Sequence, residues 1–129
     1  AYTLAGADCV DVAADPAVIA VARDAFTIAA ELTEEATQRG YGYRGLPWLM
    51  VSFNDGEDPH FRKAEFRAEL CPPDCARPCE LICPAQAIDS LGVISDRCYG
   101  CGRCLPVCPI QQITTRSYVS TPTTIAPLV

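Results

Sequence analysis

The cysteines are the residues of this sequence best suited to chemistry, with nine in a chain of 129 residues. Eight of them lie between Cys71 and Cys108, and the last four occupy the run CYGCGRCLPVCP, at Cys98, Cys101, Cys104 and Cys108. The spacing C-x2-C-x2-C-x3-C-P lets three cysteines reach three irons of one cube. The glycines between them permit close approach of the backbone. The run therefore predicts a [4Fe–4S] site.

An earlier run, CPPDCARPCELICP, contains Cys71, Cys75, Cys79 and Cys83, followed by Pro84. It keeps the C-x3-C-P ending but has three residues instead of two in each earlier gap. Three prolines stiffen those gaps, because each proline fixes its own backbone angle φ. The wider spacing leaves two forms open for this site, a complete [4Fe–4S] cube or a more labile [3Fe–4S] form.

Zinc and disulfides are the competing interpretations of a cysteine-rich segment. Zinc prefers two separated C-x2-C pairs that close a tetrahedron, whereas the second run crowds four cysteines into eleven residues. Disulfides suit exported proteins, and the chain has no apolar signal stretch behind a basic start. A segment of about 45 residues with few large apolar side chains also needs a metal centre as its core. Clusters in a cytoplasmic protein are therefore favoured, with an upstream targeting segment as an open alternative.

Other reactive side chains give weaker signals. Cys9 alternates with Val10 and Val12, so we expect a packed thiol in a buried strand. His60 and the acidic run Asp55–Asp58 are typical of a solvated loop, with a site role for His60 and cation binding for the run as minor alternatives. The chain contains no G-x-G-x-x-G, phosphate loop or acid–base pair, so no catalytic residue is predicted and an enzymatic role stays open.

The elements that must position the cysteines begin with a strand, a helix and a second strand. Cys9–Ala14 and Leu46–Phe53 are apolar runs of strand length. Asp15 suits the N-cap of a helix over Pro16–Arg39, which Gly40 ends. Such a unit predicts a parallel sheet. Two or three strands do not make a stable α/β domain, so we expect the chain to be a piece of a longer protein.

The second half is predicted to contain smaller elements. A short helix is expected over residues 60–70, and a strand–turn–strand over residues 88–97 around Gly92. Cys83 and Cys108 each precede a proline that would start a short helix. The last residues suggest the end of a strand, followed by a helix capped at Ser120 or Thr121.

The predicted organisation is α+β, with a two-cluster module inserted after a strand of an incomplete, barrel-like α/β portion with a parallel sheet. Residues 1–69 would form the strand–helix–strand portion, residues 70–115 the cluster module, and residues 116–129 a return to the α/β portion. The loops at the carboxyl ends of parallel strands are where such folds place function.

The two cysteine runs repeat each other, which resembles the internal pseudo-twofold of a bacterial-type two-cluster ferredoxin. This resemblance implies that the last cysteine of each run serves the other cluster. One cluster would then be held by Cys71, Cys75, Cys79 and Cys108. The other would be held by Cys98, Cys101, Cys104 and Cys83.

A more specific resemblance covers nearly the whole chain. Several stretches closely resemble the cyanobacterial light-dependent period family, LdpA: LAGADCVDVAADPAVI, PWLMVSFNDGEDPHFRKAEF, CYGCGRCLPVCP and TRSYVSTP. The resemblance implies an iron–sulfur protein that joins a barrel-like α/β portion to a ferredoxin portion and is longer than this chain at both ends. It also implies that partners are circadian-clock proteins or redox partners of the photosynthetic electron chain.

Charge limits the classes of partner. The net charge is −6, and residues 1–70 carry twelve acids against six bases, so the cysteine segment is nearly neutral. The chain has no basic stripe, which argues against nucleic acid. No run approaches the roughly 18 apolar residues of a membrane helix, so no integral membrane segment is predicted.

The resemblance favours a redox sensor in which one-electron chemistry at two [4Fe–4S] clusters passes the light and redox state of the cell to the circadian clock. The alternatives are a plain electron carrier and the electron-transfer ferredoxin domain of a larger iron–sulfur oxidoreductase. A carrier would not need attached α/β structure, and an oxidoreductase would need a cofactor motif or a catalytic group.

Overall fold

The computed structural model describes residues 1–53 and 61–117, and the chain divides into two units between these stretches. The first contains a strand–helix–strand unit, and the second contains eight of the nine cysteines. Both combine helices with two-stranded sheets. The predicted α+β class is thus confirmed, whereas the barrel-like continuation and the ferredoxin-like detail stay predictions.

In the first unit, β1 (Cys9–Ala13) pairs in parallel with β2 (Trp48–Ser52), as the sequence predicts. The helix α1 (Pro16–Glu31) connects them and packs on β1. Its start follows from local chemistry: the buried Asp15 accepts hydrogen bonds at Oδ1 from the N–H groups of Ala17 (2.9 Å) and Val18 (3.3 Å).

The predicted helix Pro16–Arg39 is interrupted. A second helix, α2, covers Thr33–Gln38, and Leu32 between the two has φ −89° and ψ 6°. The hydroxyl of Thr33 donates to the carbonyls of Ala29 (3.3 Å) and Ala30 (2.8 Å). A threonine that bonds to the preceding turn in this way bends a helix, which accounts for the break.

Over its described residues, 61–117, the second unit contains two antiparallel strand pairs, one 3-10 turn and one short helix. In chain order its elements are β3 (Arg62–Glu65), the 3-10 turn Ala68–Leu70, α3 (Pro78–Ile82), β4 (Ile88–Asp89), β5 (Gly92–Val93) and β6 (Thr114–Ser117). Strand β3 pairs with β6, and β4 pairs with β5. The predicted strand–turn–strand over residues 88–97 corresponds to β4 and β5.

The helix predicted over residues 60–70 is wrong, because strand β3 and the 3-10 turn occupy most of this stretch. Pairing with β6, some fifty residues later, overrides the local pattern. Residues 61–69 consequently lie in the unit of the cysteines, whereas the predicted division placed residues 1–69 together. The two units are groups of residues in mutual contact and do not by themselves define domains. The division into domains at 1–69, 70–115 and 116–129 therefore stays a prediction.

The helices predicted to start at the two cysteine–proline pairs are also wrong. Each pair begins a single turn, closed by hydrogen bonds of 3.1 Å from Gln86 N–H to the Cys83 carbonyl and from Gln111 N–H to the Cys108 carbonyl. Gln86 and Gln111 have φ of 48° and 51°. A residue in this left-handed region cannot continue a right-handed helix, so each turn stops.

Cysteines form much of the core of the second unit. Four of them are buried together with a few small or aliphatic side chains: Ala64, Cys79, Ala87, Ile88, Cys98, Cys104, Cys108 and Ile113.

The described residues contain no helix long and apolar enough to cross a bilayer. His60, the acidic run Asp55–Asp58 and the helix predicted at Ser120 or Thr121 lie outside the described residues.

Candidate iron–sulfur centre

Two cavities in the unit of residues 61–117 are each lined by four cysteines. The first cavity is lined by Cys71, Cys75, Cys79 and Cys108. The second cavity is lined by Cys83, Cys98, Cys101 and Cys104. These are the two crossed sets that the ferredoxin resemblance implies. Their roles as cluster ligands stay a prediction.

The thiols surround these cavities but are not close enough together to bind a single metal ion. All nine cysteines lie in the described residues and are free thiols. Within residues 1–53 and 61–117, no three His, Cys, Asp or Glu side chains are grouped closely enough to hold a metal ion. Four thiols around one cavity suit a group larger than an ion, and thiolates are the ligands that iron–sulfur cubes use.

The loop of the second run depends on two glycines in the left-handed region. Gly100 has φ 77° and Gly102 has φ 72°. A Cβ atom on Gly100 would collide with the carbonyl oxygen of Arg62, whereas one on Gly102 would lie 3.6 Å from Leu105 Cδ1. Gly100 therefore lets the cysteine loop lie directly against strand β3.

The first run makes the equivalent bend with an arginine. Arg77 has φ 53° and lies two residues before Cys79, as Gly102 lies two residues before Cys104. A left-handed non-glycine residue costs roughly 1–2 kcal/mol. The Arg77 side chain holds this bend by donating to the Asp89 carbonyl. The Nε of Arg77 lies 3.1 Å from Glu80 Oε2. Helix α3 begins at Pro78, directly after Arg77.

Backbone and side-chain N–H groups point at several sulfurs. The Ala87 N–H donates to Cys83 Sγ at 3.2 Å. Gln112 Nε2 lies 3.2 Å from Cys71 Sγ. Desolvation alone would raise the pKa of Cys108, but the N–H groups that follow it in the chain, at residues 110–113, outweigh this effect and lower the pKa. N–H donors of this kind stabilise thiolates and tune clusters.

Burial acts in the opposite direction on two other cysteines. It raises the pKa of the Cys104 thiol to about 11, and it also raises the pKa of Cys79. Near neutral pH these thiols are therefore protonated in the metal-free chain. Because thiolates are the species that ligate iron, a cluster held by either thiol would release protons when it binds.

Comparison with known proteins supports the same chemistry. Residues 71–119 match the family described as the LdpA Fe-S cluster-binding domain. The matched segment makes up 49 of the 129 residues. The match extends from the first cysteine of the first run through all eight cysteines of the two cavities. The chain therefore contains an iron–sulfur cluster-binding domain.

A curated relative covers more of the chain than the domain does. Over 117 residues, the chain is 52% identical to "Light dependent period A" of Synechococcus elongatus. The alignment covers 91% of this chain but 31% of that protein. The expected resemblance to the LdpA family is thus confirmed, and the chain spans less than a third of the length of this relative. No solved structure matches the chain.

Within the matched segment, Cys101 is the exposed member of its set, while Cys98 and Cys104 are buried. Cys9 is also exposed, so its predicted burial is wrong. It lies opposite Trp48 in the sheet, and Trp48 is 82% exposed. Paired residues of neighbouring strands point to the same side, so Cys9 lies on the exposed face of β1 and β2.

The sequence analysis missed the contacts made by three residues in the unit of the cysteines: Arg77, Gln112 and Lys63. Lys63 is 2% exposed, and its Nζ donates to the Ser95 carbonyl at 2.6 Å and lies 5.8 Å from the centre of the Phe61 ring. No local pattern marks a buried lysine or a left-handed arginine. The internal repeat does offer a signal for Gln112, because the corresponding position of the first run is Ala87.

Proposed function

We propose that this chain is the cluster-bearing part of a redox sensor that passes the light and redox state of a cyanobacterial cell to its circadian clock. Two four-iron clusters would be held by the two crossed sets of cysteines. The observation that carries the proposal is the pair of cavities, each lined by three cysteines of one run and the last cysteine of the other. When bound, clusters of this type accept and return single electrons at potentials that the protein adjusts.

The chain's own residues suit such a role. Small side chains, among them Ala64 and Ala87, line the second cavity and keep it apolar. Backbone N–H groups donate to the sulfurs of Cys83 and Cys108. Apolar walls exclude water, and N–H donors offset the negative charge of thiolates, so both features set the potential at which an electron is taken up.

The link to the clock comes from relatives rather than from the geometry. The curated relative is named "Light dependent period A", and this chain spans 31% of its length. A sensor needs its redox state to alter a contact with another molecule. We infer that clock proteins, or redox partners of the photosynthetic electron chain, supply that contact.

A second candidate, the electron-transfer domain of a larger iron–sulfur oxidoreductase, is consistent with one observation. Cys101 is exposed, which would bring one edge of its cluster close to the surface, where electrons can be exchanged with a partner. The same feature would serve a sensor, because a sensor must also exchange electrons. The two candidates differ in whether the clock responds.

The proposal is tested by exchanging a segment of the relative for this chain in living cells. The matching segment of "Light dependent period A" in Synechococcus elongatus is replaced by this chain, and the circadian period is measured at several light intensities. We expect the period to depend on light as it does with the native segment. The double variant Cys101→Ala, Cys104→Ala should abolish the dependence, whereas Cys9→Ala should not. A light response that survives the double variant would contradict the sensor and leave the electron-transfer domain.

The cofactor content is checked on the same protein after anaerobic reconstitution. Two cubes require about eight irons and eight sulfides per chain, with paramagnetic signals of reduced cubes after dithionite treatment. About seven irons and a signal in the oxidised sample would mean that one of the two clusters is the three-iron form, which the wider spacing predicts for the first cavity. Stoichiometric zinc without charge-transfer absorption would contradict the cluster assignment.

A further inference from the structure

The internal repeat of the two cysteine runs is broken at one position next to a sulfur. Ala87 follows Cys83 by four residues, and Gln112 follows Cys108 by four residues. The repeat therefore places a side-chain amide beside the first cavity and a methyl group at the corresponding position beside the second. Gln112 lines the first cavity, and Ala87 lines the second.

The amide of Gln112 is held in one orientation. Its Nε2 lies 3.1 Å from the Arg67 carbonyl oxygen and 3.2 Å from Cys71 Sγ. Because a carbonyl can only accept a hydrogen bond, the contact with Arg67 identifies the nitrogen as the atom on this side of the amide. One of its two hydrogens is directed to Arg67 and the other is available to the sulfur of Cys71.

We propose that Gln112 raises the reduction potential of the cluster in the first cavity and so makes the two clusters unequal. The inference rests on the proposed role of Cys71 as a ligand. Uptake of one electron from a reductant takes a four-iron cube with its four thiolates from a net charge of −2 to −3. A hydrogen bond to a ligand sulfur stabilises the more negative state and therefore raises the potential.

The same argument applies to either form of the first cluster, because a three-iron cluster with three thiolates also passes from −2 to −3. Backbone donors are present at both cavities: the Ala87 N–H donates to Cys83, and the N–H groups of residues 110–113 donate to Cys108. At the second cavity the corresponding residue, Ala87, has no side-chain donor. The side chain of Gln112 is thus a donor that the corresponding position of the second cavity lacks, and it contributes to a difference between the two potentials.

The test uses the reconstituted full chain with Gln112→Met, which removes both N–H donors without adding charge. Gln111→Met is the matched control, since Gln111 is the exposed neighbour in the same turn. Anaerobic redox titrations followed by electron paramagnetic resonance give the two midpoints. For Gln112→Met we expect one midpoint to fall, with about a tenfold higher ratio of oxidised to reduced cluster at fixed potential, which is 59 mV for one electron. The other midpoint, and both midpoints of Gln111→Met, should not move.

A second variant, Gln112→Glu, keeps the shape of the side chain but replaces the donor with an acceptor. Its first-cavity midpoint should fall at least as far as that of Gln112→Met. Unchanged midpoints, or equal shifts of both, would overturn the role of Gln112. Loss of iron in both variants would make Gln112 a support of the loop and would also overturn it. If the unaltered chain itself holds fewer than two clusters, the proposed function fails first, and the iron count separates the two failures.

Discussion

Cys101 differs from the other members of its set because it is exposed, whereas Cys98 and Cys104 are buried. Replacement of Cys101 therefore removes one thiol and disturbs the packing of the core less than replacement of Cys98 or Cys104 would. We expect Cys101→Ala to lose about half of the iron, because a four-iron cube held by three thiolates is labile. The unit of residues 61–117 should lose stability with it, since metal binding and folding are coupled.

The measurement is the iron and sulfide content after anaerobic reconstitution, together with thermal unfolding of the loaded protein. Cys9→Ala is the matched control, because Cys9 is an equally simple thiol, is exposed, and lies in the other unit. It should keep all of the iron. A full iron content in Cys101→Ala would show that the ligand sets are wrong.

At the scale of elements, the cysteine loop can lie directly against strand β3 because Gly100 has no side chain. Gly100 and Gly102 both have positive φ, so alanine at either position should cost roughly 1–2 kcal/mol of backbone strain. Only at Gly100 would the added Cβ collide with the backbone of Arg62. Gly100→Ala should therefore cost a further 1–3 kcal/mol or so, because the strand or the loop must move.

Anaerobic denaturant unfolding of the two loaded variants compares these costs directly. Gly102→Ala is the control for backbone strain alone. Equal losses of unfolding free energy would mean that the loop does not approach β3 as closely as the structure has it. Cluster content should fall in Gly100→Ala and stay near normal in Gly102→Ala.

The elements also show which parts of the fold could be predicted. The start of α1 is determined by neighbours in sequence, Asp15 and Pro16, so the local pattern was sufficient. Strand β3 forms because its partner β6 lies some fifty residues later, and a local pattern carries no information about that pairing. The eight cysteines were identifiable by spacing, whereas the amide of Gln112 and the bend at Arg77 depend on contacts that spacing does not encode.

At the scale of the whole molecule, the two units differ in what forms their cores. Cysteines supply half of the buried core cluster of residues 61–117, whereas the buried apolar side chains of residues 1–53 include Ala14, Ile19 and Ala29. Removal of iron by oxidation and chelation should therefore loosen the second unit and leave the first unchanged.

Hydrogen exchange measured by mass spectrometry on the full chain, before and after iron removal, tests this expectation. Amides of β3, β6 and the cysteine loops should exchange faster after removal, while those of β1 and α1 should keep their protection. The sample that was exposed to chelator without oxidant is the control. Equal loss of protection in both units would mean that the clusters support the whole chain.

The pairing of β3 with β6 has a consequence for how such a unit can be transplanted. Arg62 lies opposite Ser117, so the described part of the cysteine unit begins and ends near adjacent antiparallel strands, with Cα atoms about 5 Å apart. An insert whose two ends lie next to each other replaces a tight turn of a host protein without separating the residues on either side of it. The host loop therefore closes at little entropic cost. A host loop that received residues 61–117 would therefore need to span only the short distance between two neighbouring strands.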